Sequence, residues 1–246
     1  MKMEEVEVYS WLFVHKVWDK LRRMPIPDKG FEESFREYLR GKINFDVVSY
    51  VRDTGFGLSY STMSTVPHEL DVICTKKQDK FIFELKHYEV SRIVKEIVFT
   101  FIGKVMDFYF KNAEVLSNYK ITMLLVTINK DVDDSIRKLC IAYGVKLIEP
   151  SLMTLGTLDH FSRDLYQKIP EENSELKRKA EKLVENISEL KEHYDYSFSD
   201  IFRYKESNVE IGIPLSEINP AETLNKIKEY YNLLREVKEA WKSIRN

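Results

Sequence analysis

Asp71, Glu84 and Lys86 combine residue type and spacing in a way that could do chemistry. The run from His68 to Lys86, HELDVICTKKQDKFIFELK, sets Asp71 in one apolar stretch and Glu84 and Lys86 in another. If both stretches are strands, Glu84 and Lys86, two residues apart, leave the same face. Leu70, Val72, Phe83 and Leu85 surround them, and charges in such surroundings are costly unless paired or bound to a cation. Two carboxylates at the open end of a hairpin make a hard oxygen site for Mg²⁺ or Mn²⁺, to which the Leu85 carbonyl could add a ligand. Such an ion polarises a phosphodiester oxygen and lowers the pKa of a bound water. Lys86 would orient that water or stabilise charge building up on the phosphorus oxygens. The competing reading is a surface hairpin on which Glu84 and Lys86 form a same-face ion pair of little energetic weight.

The surrounding elements must hold that hairpin. Residues 1–24 read as a helix with Val8, Trp11, Leu12, His15 and Trp18 on one side, broken by the stretch MPIPDKG. A second helix runs from Phe31 to Arg40, with Gly41 placed to serve as a left-handed C-cap. Ile43 to Val51 is rich in Val, Phe and Tyr and predicts a strand; residues 53–68 predict a loop. Glu69 to Thr75 and Phe81 to Lys86 predict a hairpin around the polar turn Lys76 to Lys80. Helical spacing returns from about Val90 to Phe110. Ile121 to Thr127 is a continuous apolar run, as a strand buried on both faces would be. Asp131 to Tyr143 predicts a helix closed by Gly144, and Val145 to Ile148 a short strand.

Beyond Pro170 the pattern changes. Leu176, Ala180, Leu183, Ile187, Leu190 and Tyr194 recur at four and three residues, a heptad seam. Leu224, Ile227, Tyr231, Leu234, Trp241 and Ile244 form a second stripe, with the aromatic stretch Tyr194 to Tyr204 between them. Two readings stand: a helical hairpin packed on the main body, or a module for dimerisation or for gripping substrate. The domain plan is a helical arm over 1–29, an α/β core over 30–160 and a helical hairpin over 161–246.

Composition narrows the classes further. The chain has 246 residues, 43% hydrophobic and 32% charged, so it can bury a core. Its 38 Lys+Arg against 40 Asp+Glu give a net charge of -2, which excludes a grossly basic packaging protein but not a local basic groove. The apolar runs are far short of the roughly 20 residues of a membrane span. The start, MKMEEVEVYS, is acidic and has no signal-like apolar core. Cys74 and Cys140 cannot build a disulfide framework, so a cytoplasmic, reducing setting is expected. There is no phosphate loop, no HExxH and no GxSxG elbow.

Asp71, a turn, and Glu84-x-Lys86 in a helix–three-strand–helix–strand order resemble the PD-(D/E)xK nuclease superfamily, most closely its Mrr-type restriction endonucleases and archaeal relatives. The resemblance covers roughly residues 30–150. In that family the first helix often carries a Glu after a Gly-x-Phe-Glu-like start, and Gly30-Phe31-Glu32-Glu33 is similar. Helical geometry puts Glu32 on the face of Phe35 and Leu39, and Glu33 with Arg36, Glu37 and Arg40. Glu32 is therefore the expected site residue. The sequence departs from the pattern in lacking a Pro-Asp pair: Pro67 lies four residues before Asp71, and the glycine-rich approach is reduced to Gly55-Phe56-Gly57.

The resemblance implies a restriction endonuclease-like α/β core, a mixed sheet flanked by helices with helical additions at both ends. It implies a metal-dependent endonuclease acting on DNA, with Mg²⁺ or Mn²⁺ as cofactor. Asp71, Glu84 and the Leu85 carbonyl would bind the metal, and Glu32 and Lys86 would complete the catalytic set. Glu69, Lys104 and His68 are accessory candidates; a solvated lysine on an apolar helix face and a surface histidine are the plainer readings of the last two. Lys76, Lys77 and Lys80 could touch a DNA backbone or lie on a solvated turn. A homodimer through the helical arms fits an enzyme that must cut two strands. The alternative is a catalytically inactive scaffold of the same fold, binding nucleic acid or a partner protein.

Overall fold

A computed structural model describes residues 3–21, 28–50, 59–60, 63–66, 68–87, 92–205, 208–213 and 215–245. Two helices come first, α1 (Met3–Leu21) and α2 (Asp28–Lys42). Strand β1 (Val47–Tyr50) follows, then the short pair β2 (Ser59–Tyr60) and β3 (His68–Glu69). The hairpin β4 (Val72–Lys76) and β5 (Asp79–Lys86) leads into α3 (Lys95–Lys111) and the single turn α4 (Ala113–Leu116). Strand β6 (Lys120–Thr127), α5 (Asp134–Ala142) and β7 (Val145–Ile148) complete the sheet. The rest is α6 (Leu155–Lys168), α7 (Ser174–Tyr194), α8 (Phe198–Ile201), a ribbon of β8 (Phe202–Lys205) and β9 (Asn208–Ile211), and α9 (Pro220–Arg245).

The main sheet is mixed, in the order β1-β4-β5-β6-β7. β1, β4 and β5 are antiparallel neighbours; β5, β6 and β7 run parallel. This is the α/β order expected from the sequence. β6 is buried from Ile121 to Thr127, because a parallel strand covered on both faces has no solvent side to keep polar. Alternation divides its side chains between two cores. Ile121, Met123 and Leu125 join Ile82 against α3, α5 and α8, while Leu124 and Val126 join Phe81, Phe83 and Leu85 against α1 and α2.

α6, α7 and α9 form a third core around Leu158, Leu183, Ile187 and Leu234. The heptad seam of α7 is buried at Ala180, Leu183, Ile187 and Leu190. The aromatic stretch between α7 and α9 is not a plain interhelical loop: Phe198, Ile201 and Phe202 are buried against the sheet.

Several local expectations are corrected. Gly41 lies inside α2 and does not cap it; among the described glycines only Gly144 takes a positive φ, +63°. Gly144 closes α5 as expected, since an L side chain is strained in that conformation. The stretch 151–170 contains α6, whose apolar face contributes Leu155, Leu158 and Leu165 to the third core. The expected loop 53–68 holds β2 and the first residue of β3, and Glu69, expected to open the hairpin strand, pairs with Ser59 in β3 instead. Gly55, Gly57, Pro67 and the Trp18 side chain lie outside the described residues. Among the described residues no helix is long and apolar enough to cross a membrane.

Candidate functional site

The β4–β5 register sets the geometry. Val72 faces Phe83 and Lys76 faces Asp79, so the hairpin closes at Lys77-Gln78 and opens at Asp71 and Glu84. Lys77 takes a positive φ of 53°, which permits this tight turn. Asp71 sits in a bend just ahead of β4 rather than within the strand, and there its Oδ2 accepts from the Leu85 N–H at 2.7 Å. An edge interaction of this kind ties the free end of β4 to β5.

Period-two alternation carries Phe83 and Leu85 into the core beneath α1 and α2 and sends Glu84 toward α3. Glu84 is only 2% exposed, which excludes the surface-hairpin reading. Lys86 Nζ lies 2.7 Å from Glu84 Oε1. Lys104, from the middle of α3, donates to both Glu84 oxygens, at 3.1 and 3.2 Å. Lys104 therefore turns inward to the acid rather than out to solvent. A buried carboxylate with two ammonium partners is compensated; with neither it would be very costly.

Asp71 is in a different state. Burial and the neighbouring Glu84 charge push its pKa up to about 7, against the Leu85 N–H and the Lys86 ammonium, which favour the charged form. The Glu32 charge pushes the same way as Glu84, so α2 brings Glu32 within electrostatic reach of Asp71. Glu32 is half-buried while Glu33 is exposed, the facing expected from the helix. Phe31 beside it packs on the His87 ring at 5.4 Å, which seats the start of α2 at the end of β5.

The accessory residues divide. His68 Nε2 lies 2.9 Å from Asp107 Oδ2 on α3, and Asp107 also takes the Ser64 hydroxyl and, at 2.7 Å, the Ser64 N–H. Asp107 thus ties both Ser64 and His68 to α3. Glu69 is exposed in β3, in register with Ser59. Lys76 bonds the Asn44 carbonyl and Lys80 the Thr75 hydroxyl, at the far end of the hairpin from Asp71.

Among the described residues no group of three or more His, Cys, Asp and Glu side chains is arranged to hold a metal ion. The donor chemistry nevertheless suits a hard cation: two carboxylates face each other at one hairpin end, and burial, with the Glu84 charge added to it, already drives Asp71 toward its neutral form. A dication between them would relieve that repulsion.

An ionic cluster legible only in three dimensions lies between α5, α9 and the end of β7. Arg137 on α5 grips the buried Glu149 with two bonds, 2.6 and 2.8 Å, and reaches Asp134, which also takes Lys228 from α9. A lone Glu between Ile148 and Pro150 was its only sequence signal.

No family model matches this sequence, and no curated protein matches it. Among solved structures, the small subunit of the heterodimeric restriction endonuclease R.BspD6I is similar, with 12% identity over 89% of this chain and 97% of that one, at a TM-score of 0.40. A score that low does not establish a common fold. The class of protein rests on the topology itself: an α/β body with a mixed five-stranded sheet, an acid pair at the open end of its central hairpin and two lysines beside it.

Proposed function

We propose that this chain is a nuclease of the PD-(D/E)xK type, a divalent-metal-dependent endonuclease that hydrolyses DNA phosphodiester bonds. The observation that carries the reading is the Asp71–Glu84 pair facing across the open end of β4 and β5, with the Lys86 ammonium beside it. Asp71 and Glu84, with the Leu85 carbonyl, would hold Mg²⁺ or Mn²⁺. Such an ion, when bound, polarises the phosphodiester and makes water a better nucleophile.

The chain's own residues do the rest. Lys86, held by Glu84, orients the attacking water and balances charge on the phosphorus oxygens. Glu32, half-buried on α2, accepts from that water on the Asp71 side. Lys104 fixes the Glu84 carboxylate in place. Water oxygen bonds to phosphorus and gives up one proton to solvent, the bond from phosphorus to one sugar oxygen breaks, and that oxygen takes up a proton from solvent.

The test is metal-dependent nicking of supercoiled plasmid DNA, with RNA as a parallel substrate. Asp71→Asn and Lys86→Met should each lower the rate by at least about a hundredfold while keeping the circular dichroism spectrum. Cleavage that persists in both variants would sink the assignment. Preference for RNA would move the substrate but keep the site.

A second reading has an observation of its own. Both Glu84 oxygens are engaged by Lys104, and two lysines already balance the acid. A scaffold that has lost its metal would look like this. It predicts that Mn²⁺ leaves the melting temperature unchanged.

A further inference from the structure

Helix α3 bears on the acid pair from two positions. Lys104 and Asp107, three residues apart, share one side of the helix. Lys104 reaches Glu84. Asp107 reaches the chain that leads into Asp71. Its carboxylate accepts from the Ser64 N–H at 2.7 Å and from the Ser64 hydroxyl, and lies 2.9 Å from His68 Nε2. Its backbone carbonyl accepts from the Met63 N–H at 3.2 Å. Met63, Ser64 and His68 therefore converge on one position of α3.

The turn held in this way is strained. Thr65 takes a φ of +64°, a conformation that β-branched residues rarely adopt. Met63 and Val66 are exposed, so burial does little to hold the turn. Backbone strain persists only where the surroundings over-determine it. Here polar bonds to Asp107 do so where packing does not. From His68 the chain has three residues, about 10 Å when extended, in which to reach Asp71. Leu70 on the way is 1% exposed, in the core that also holds Phe101, Val105 and Phe108 of α3. Leu70 sets how deep the chain lies, and Asp107 sets the direction from which it arrives. α3 thus gauges both carboxylates, Glu84 through Lys104 and Asp71 through Asp107.

We propose that Asp107 is a positioning residue of the hydrolytic site: through Ser64 and His68 it holds Asp71 where it can share a divalent cation with Glu84. The proposal rests on the metal-dependent reading of the acid pair and adds to it what keeps that pair preformed. Apparent affinity falls in proportion to the population of the binding-competent arrangement. If loss of the Ser64 and His68 links leaves Asp71 in place about a fifth of the time, the metal midpoint rises about fivefold. Hydrolysis starts from the same metal-loaded arrangement, so saturating metal restores the rate. A plain brace for a surface turn has a different signature. It lowers stability and leaves the metal midpoint alone.

Mn²⁺ titration of the full chain tests this, read both by nicking of supercoiled plasmid and by the rise in melting temperature. Asp107→Asn should raise the Mn²⁺ midpoint about fivefold, with a rate at saturating Mn²⁺ within about threefold of the parent's. Ser64→Ala removes one donor from an exposed turn and should move the midpoint the same way, by about twofold. Adding His68→Gln to Asp107→Asn should move it by no more than about a further twofold, because both changes break one link. Gly144→Ala, just ahead of β7 and two strands from β5, is the control: it should lower the melting temperature and leave the midpoint unchanged. The proposal is overturned if folded Asp107→Asn keeps the parent's midpoint, or if Ser64→Ala keeps it where Asp107→Asn does not fold. It is also overturned if Gly144→Ala moves the midpoint as far. A parent protein that responds to Mn²⁺, with an unmoved midpoint in the variants, rejects the proposal alone. A parent that neither nicks DNA nor gains melting temperature with Mn²⁺ rejects the metal-dependent reading and the proposal together.

Discussion

Lys104→Met tests whether the inner lysine holds Glu84 or merely lies beside it. Glu84 is 2% exposed and takes three short contacts from two ammonium groups: 2.7 Å from Lys86, and 3.1 and 3.2 Å from Lys104. Without Lys104 a buried carboxylate keeps one cation in place of two. A hydrogen bond to a charged group contributes about 1.5–3 kcal/mol, and breaking a fully buried pair costs about 3–5 kcal/mol. Lys86 remains, and the Lys104 side chain is 20% exposed, so the lower range applies. The expected loss is about 2 kcal/mol, which for a chain of this length lowers the melting temperature by about 4–8 °C. Denaturant unfolding of Lys104→Met, Glu84→Gln and the double variant gives the coupling directly, expected at about 1.5 kcal/mol. A single-variant loss below about 0.5 kcal/mol, or a coupling of zero, refutes the reasoning. The same variant carries a second readout. With Lys104 gone, Mn²⁺ should raise the melting temperature more than in the parent protein, because an added cation would supply the charge that Lys104 had balanced.

Three further perturbations reach the scaffold. Arg137→Met strips Glu149, 1% exposed, of its two-pronged partner and should cost about 3 kcal/mol in denaturant unfolding; a neutral result would mean that the cluster relaxes toward water. Gly144→Ala forces an L side chain into a φ of +63° and brings its Cβ to 3.0 Å from Ile201 Cδ1 and 3.1 Å from the Ser197 carbonyl carbon. A loss of about 1–3 kcal/mol is expected, and unchanged stability would contradict the close approach of α8. Asp200 gives a pH dependence. Burial opposes its charge, but the Ser197 hydroxyl and N–H, at 2.6 and 2.8 Å, outweigh burial and hold its pKa below the ordinary aspartate value. The unfolded chain then binds more protons than the folded one in the acid range. The stabilisation is therefore complete above the ordinary aspartate value and is lost as pH falls through the folded value. Asp200→Asn should flatten the acid limb of a melting-temperature curve; a limb as steep as the parent's would count against this.

Local pattern determined much of this protein. The apolar run 121–127 reads as a strand covered on both faces, because only Thr122 and Thr127 interrupt its apolar side chains. Gly144 had to end a helix, because the residue after Tyr143 must turn left-handed. Asp71 and Glu84 were legible as a facing pair because a hairpin's register follows from its turn, and the turn lay in the sequence. Glu32 was separable from Glu33 by helical periodicity alone.

What sequence could not supply was distance across elements. Lys104 meets Glu84 only because α3 crosses the sheet at one height and angle, and no spacing along the chain encodes that crossing. His68 is near the acid pair in sequence, yet it bonds Asp107, because α3 offers a carboxylate where β3 ends. The bend at Asp71, the ribbon β8–β9 and the burial of Phe198 each follow from the fit of neighbouring surfaces. Trp11 and Trp241 come from opposite ends of the chain, and only the packing of α1, α6 and α9 brings them to one cavity. Elements are set by local periodicity and turn chemistry; sites are set by long-range packing, which joins residues whose separation in sequence carries no information about their separation in space.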